Sequence, residues 1–119
     1  MRILIVDDVP FMRRVLKKIM EDAGHEIVGM VDNGEEGVRE YKRFKPDVVT
    51  MDLTLPGMDG MEAIKLIMQY DPAAQILVTS AMGQAVIVKE AIHSGAYDFV
   101  VKPVDEKRLL SALANARVR

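Results

Sequence analysis

The sequence predicts an α/β domain built as five strand-helix units, with a five-stranded parallel sheet covered by helices on both faces. Three observations carry this reading. Short apolar runs alternate with stretches whose apolar residues recur at helical spacing. The alternation repeats five times with short links, and parallel neighbours require crossovers, which helices supply. Four of the strands also end in polar, chemically capable residues, as expected of the carboxyl edge of a parallel sheet. Because crossovers are right-handed, covering both faces requires the winding direction to reverse once.

The elements follow in order. Ile3-Leu4-Ile5-Val6 is an apolar run that stops at Asp7-Asp8. Pro10 suits a helix's first turn, and Met12, Val15, Leu16, Ile19 and Met20 carry that helix to a stop at Gly24. Ile27-Val28-Gly29-Met30-Val31 reads as a second strand. Asp32-Asn33-Gly34 is a turn or a helix start before Gly37, Val38, Tyr41 and Phe44, and Pro46 ends that helix. The third strand runs from Asp47 to Asp52 and meets a turn at Pro56-Gly57. Met61, Ile64, Ile67 and Met68 form the next helical stripe, which ends near Asp71-Pro72. Gln75-Ile76-Leu77-Val78-Thr79 delivers Ser80. A helix over about 84–94 stops at Gly95, Tyr97-Asp98-Phe99-Val100-Val101 delivers Lys102-Pro103, and Leu109, Leu110, Leu113 and Ala116 mark a closing helix.

Composition narrows the function. At 119 residues the chain suits one domain over 1–119, and half hydrophobic with 29% charged is globular. The absence of cysteine excludes disulfides, thiolate zinc sites and cysteine nucleophiles. A net charge of −2 without a dense basic patch gives no sign of nucleic-acid binding. No apolar run reaches membrane-spanning length, so the expected location is the cytoplasm. The nine methionines read as gap-filling core, although Met58 and Met82 fall in loops beside the predicted site. His25 and His93 lie by helix ends, away from the predicted active edge, and leave no general base for an external substrate.

Taken singly, the strand ends are ordinary. Asp8 ahead of Pro10 could cap a helix, Ser80 could be a turn residue, and Lys102 a solvated strand end. Together they place three carboxylates (Asp7, Asp8, Asp52), one hydroxyl (Ser80) and one ammonium (Lys102) at one edge. Crowded carboxylates repel unless a cation is present, and hard oxygen ligands suit Mg²⁺. The chemistry this implies is phosphorylation of one carboxylate, with Asp52 as acceptor.

These residues resemble the receiver domain of two-component response regulators. The matching pieces are Leu4-Ile5-Val6-Asp7-Asp8, the stretch 47–60, Val78-Thr79-Ser80-Ala81 and Val101-Lys102-Pro103, and the likeness covers essentially the whole chain. The resemblance implies a flavodoxin-like fold with strand order 2-1-3-4-5. It implies Mg²⁺ bound directly by Asp8, by the Asp52 carboxylate and by the backbone carbonyl of Thr54, with Asp7 acting mainly through water. It implies phosphoryl transfer to Asp52 from a histidine kinase, Ser80 as the switch hydroxyl, Phe99 as the rotating aromatic and Lys102 as the phosphate-contacting cation. It also implies a cis Lys102-Pro103 bond. Thr54 and Met82 would flank the phosphate and tune its lifetime.

The wording Thr79-Ser80-Ala81-Met82-Gly83-Gln84 is similar to chemotaxis receivers. That implies a CheA-type kinase upstream, the flagellar motor switch or another protein as target, and a monomer. Two departures stand out: serine at 80 keeps the hydroxyl but lacks threonine's methyl, and phenylalanine at 99 lacks a phenolic hydroxyl. Val86, Ile87 and Val88 are consecutive on a helix and cannot all be buried. The resemblance implies that the fourth helix, fifth strand and fifth helix form the face that docks a target, and Val88 and Val101 are the residues expected on it.

Other classes fit less well. A haloacid-dehalogenase-type phosphatase wants an acid two residues past its nucleophile, where this chain has Thr54. A flavodoxin-like carrier would place a flavin phosphate against Asp7 and Asp8. A receiver belonging to a longer regulator, with a DNA-binding or enzymatic output, remains the closer alternative.

Overall fold

The computed structural model describes residues 1–55 and 59–117. The expected turn at Pro56-Gly57, Met58, and the last two residues lie outside that set. The elements are β1 (Arg2–Val6), α1 (Pro10–Asp22), β2 (Glu26–Val31), α2 (Gly34–Phe44), β3 (Val48–Asp52), α3 (Gly60–Tyr70), β4 (Ile76–Ser80), α4 (Ala85–His93), β5 (Asp98–Val101) and α5 (Glu106–Ala114). All four strand pairings are parallel, and the order is β2-β1-β3-β4-β5. This is the architecture the alternation predicts, with the winding reversed once, between β2 and β3.

Local chemistry sets the helix ends. Asn33, Asp59 and Asp105 each accept the backbone N–H three residues on, which caps α2, α3 and α5. Before α1 the cap position is held by Val9, which makes no side-chain cap, and Pro10 opens the helix. Asp8 therefore does not cap α1. Gly95, at φ 124°, takes the turn after α4 into a backbone region that side chains with a Cβ avoid.

Strand alternation divides the core between the two faces. Leu4 and Val6 of β1, Val49 and Met51 of β3, and Ile76 and Val78 of β4 pack with α2, α3 and α4. Ile3, Ile5, Val48 and Leu77 point the other way and pack with Leu16 and Met20 of α1 and Leu109, Ala112 and Leu113 of α5. Both faces of the central strands are thus dry, which explains why those strands read as continuous apolar runs.

One expectation is corrected on α4. Val88 is 8% exposed and packs into the core, whereas Val86 is 81% exposed. Val88 and Ala91 lie three residues apart and form the helix's buried stripe, so the 100° step turns Val86 outward instead. Among the described residues, no helix is long and apolar enough to cross a membrane.

Candidate functional site

The carboxyl ends of β1, β3 and β4 and the residue after β5 converge. Asp52 is the last residue of β3 and Asp7 follows β1; they are 1% and 0% exposed. Lys102 reaches across from the end of β5 and sets its Nζ 2.9 Å from Asp7 Oδ2 and 3.2 Å from Asp52 Oδ2. The ammonium thus bridges two carboxylates that have almost no access to solvent. Asp8 lies in the open mouth, and one carboxylate oxygen each from Asp7, Asp8 and Asp52 fall within 4.8 Å of one another. Three carboxylates thus face one ammonium, and the cluster carries excess negative charge.

The carboxylates are held in place by their own loops. Asp52 Oδ1 accepts both the backbone N–H and the hydroxyl of Thr54, each at 3.0 Å. Asp7 Oδ1 accepts the Val9 N–H at 2.9 Å, and the Asp7 carbonyl accepts Arg13 Nη1 at 2.7 Å. Arg13 and the Thr54 hydroxyl have no place in the sequence reading. Arg13 carries no periodic or motif signal, since its role depends on how the loop after β1 folds back over α1.

Electrostatics follow from this crowding. Loss of hydration in the cleft, then the proximity and charge of Asp52, and then the charge of Asp7, raise Asp8 above its ordinary carboxyl value. For Lys102, burial alone would lower the pKa, but Asp7 and Asp52 outweigh it and the ammonium is held more tightly than usual. Ser80, at the end of β4, is fully buried, and among the described residues its hydroxyl has no hydrogen-bond partner. A buried hydroxyl left without a partner costs free energy, so it is suited to a ligand oxygen at this edge.

Hard oxygen donors at these separations can hold a metal ion. Asp7, Asp8, Asp52 and Lys102 meet at this edge, and Ser80 ends the neighbouring strand β4. Phe99 lies apart on β5 with its ring turned outward, 37% exposed, and Val101 is similarly exposed at 39%. Val88 forms part of the buried floor of a groove of about 700 Å³ between α4 and β5, which Ser80, Met82, Phe99 and Val101 also line. The Lys102-Pro103 bond is cis.

The response regulator receiver domain family matches this chain over residues 3–114. The chain belongs to that family. This receiver domain is 55% identical to the chemotaxis protein CheY of Thermotoga maritima over 112 residues, covering 94% of the chain and 93% of the relative. It is 48% identical to the CheY of Listeria monocytogenes, covering 98% of each. Among solved structures, a chain of the CheX-CheY-BeF3-Mg²⁺ complex from Borrelia burgdorferi superposes with a TM-score of 0.93 at 36% identity, covering 99% of this receiver and 90% of that chain. These CheY relatives are matched over nearly their whole length, which leaves no room in them for an output domain. A receiver from a regulator with DNA-binding or enzymatic output is accordingly not favoured.

Proposed function

We propose that this receiver domain is a phosphorylation-activated chemotaxis switch, with Asp52 as acceptor and a CheA-type histidine kinase as donor. The observation that carries the reading is the buried pair Asp7 and Asp52 bridged by Lys102, with the Ser80 hydroxyl at the same sheet edge, buried and without a hydrogen-bond partner among the described residues. A carboxylate oxygen of Asp52 attacks phosphorus, the phosphorus–nitrogen bond to the donor imidazole breaks, and the electron pair stays on that nitrogen. Thr54 holds the acceptor carboxylate in position through its N–H and hydroxyl. Lys102 moves from bridging two carboxylates to contacting the phosphoryl oxygens, and Ser80 donates its hydroxyl to one of them.

Asp8, the Asp52 carboxylate and the Thr54 carbonyl would hold Mg²⁺, with Asp7 acting through water. When bound, Mg²⁺ neutralises charge between the acceptor and the transferring phosphoryl group. The phosphorylated side chain adds about −2 of charge, which draws in Ser80 and Lys102 and biases the loop after β4. The altered α4–β5–α5 face, Val101 included, is then read by a protein target such as the flagellar motor switch. The acyl phosphate is a mixed anhydride. Water attack at phosphorus releases inorganic phosphate and restores the Asp52 carboxylate, so the signal is transient and the turnover is self-phosphorylation followed by autodephosphorylation.

Intact-mass measurement after incubation with acetyl phosphate tests this. Wild type should gain one phosphoryl group only with Mg²⁺ present, and Asp52→Asn should gain none. An adduct that persists in Asp52→Asn, or forms equally well in chelator, would sink the assignment.

A further inference from the structure

One ion pair touches Phe99 at its ring, its carbonyl and its N–H. Arg108, in the first turn of α5, pairs with Asp98 through two contacts, Nη2 to Oδ1 at 2.9 Å and Nη1 to Oδ2 at 3.4 Å. The same guanidinium lies over the Phe99 ring, 5.6 Å from its centroid, and Nη2 also donates to the Phe99 carbonyl. Asp98 Oδ1 in turn accepts the Phe99 N–H at 2.8 Å. The Asp105 cap fixes where α5 begins, and so fixes the reach of Arg108. Desolvation would raise the Asp98 carboxyl, but Arg108 and the Phe99 N–H outweigh it and hold it below its ordinary value.

This arrangement is lopsided. The hydrogen bonds fix the Phe99 backbone, and only the face-on guanidinium contact depends on where the ring points. On the other side, the groove beside Ser80 and Val88 has room for the ring to turn inward. We infer that Arg108 is a positioning residue that latches Phe99 in its outward state, and so sets how much phosphoryl engagement is needed to turn the switch. The inference rests on the switch reading above. Inward rotation of the ring gives up the cation–π contact while leaving the Asp98 pair and the Phe99 backbone bonds in place. The latch is therefore a threshold that the switch can cross.

The chain has three phenylalanines, so incorporation of 4-fluorophenylalanine gives three ¹⁹F resonances, and Phe99→Leu identifies the one that matters. Wild type, Arg108→Met and Arg108→Lys are titrated with beryllofluoride in the presence of Mg²⁺. The Phe99 resonance should move on binding in wild type. In Arg108→Met, half-conversion should come at about 2- to 5-fold lower beryllofluoride, the ratio an exposed cation–π contact sustains. Arg108→Lys should fall between, because it keeps the charge but loses the broad guanidinium. Loss of the nearby charge can shift the resonance directly, so the half-conversion ratio decides. If wild type converts and Arg108→Met converts at the same concentration, or if Arg108→Lys matches wild type, the latch is overturned and the switch stands. If beryllofluoride binds wild type, seen by its own ¹⁹F signal, and Phe99 stays still, then the role of Phe99 as a switch falls and the latch falls with it.

Discussion

Asp8 is the carboxylate most exposed to its neighbours' charge, because Lys102 is already shared between Asp7 and Asp52. Its raised pKa has a definite sign in stability. A carboxyl that binds its proton more tightly when folded penalises folding above its folded pKa, and the penalty is relieved as pH falls through that value. Lys102 acts at the other end of the scale: its raised pKa keeps its contribution whole below the usual lysine range and loses it only as pH rises through the folded value. Acid titration of the metal-free protein therefore reports chiefly on the carboxylates. Asp8→Asn removes one like charge and should raise the metal-free Tm by about 2–4 °C, what roughly 0.5–1 kcal/mol gives in a domain of this size. The same variant should lose most of the Tm increment that Mg²⁺ gives wild type. In wild type that increment should shrink as pH falls through the raised Asp8 value, since proton and cation compete for Asp8. Thermal melts with and without Mg²⁺ check all three; an unchanged Mg²⁺ increment in Asp8→Asn would remove Asp8 from the ligand set.

At the scale of elements, position depends on short connections with little slack. α3 starts so close to the end of β3 that a Cβ on Gly60 would meet the Asp52 carbonyl and come within 2.8 Å of Leu53 Cα. Those are backbone atoms and cannot rotate aside. Gly60→Ala should cost about 2–3 kcal/mol in urea unfolding and, because relief of the clash moves Asp52 itself, should also slow its phosphorylation by acetyl phosphate. Loss of stability with an unchanged rate would mean that the helix yields and not the strand end. The sequence makes such elements readable where one physical cause dominates. β1, β3 and β4 are dry on both faces and read as apolar runs, and the polar residues at their ends stand out for the same reason. On α4 the reading fails at one position, because three consecutive apolar residues leave the phase of the buried stripe open, and Ala91, three residues beyond Val88, settles it only once packing is seen. The Asp98–Arg108 pair is invisible for a different reason. It joins β5 to α5 across a loop, and no helical or strand period relates the two positions.

The whole molecule separates chemistry from fastening along the strand direction. At the amino edge of the sheet, Asp47 donates its backbone N–H to the Arg2 carbonyl and accepts the Arg2 N–H on its carboxylate, while Arg2 Nη1 donates to the Phe44 carbonyl. Gln75, 9% exposed, completes the set: its amide donates to the Asp47 and Arg117 carbonyls, and its oxygen accepts the Arg117 N–H. One side chain thereby ties the entry to β3, the entry to β4 and the chain beyond α5. Five-residue strands put this network about 17 Å from the acidic edge, well past the screening length of about 8 Å at physiological salt. The two edges share a rigid sheet but little electrostatic field. Gln75→Ala should therefore lower stability by about 1–2 kcal/mol, the result of uncovering buried backbone groups, and leave the Asp52 phosphorylation rate within about 2-fold of wild type. Urea unfolding and the acetyl phosphate reaction, run on one preparation, give both numbers. A rate that falls more than 2-fold would show that register set at the amino edge is transmitted through β3 to its acceptor carboxylate.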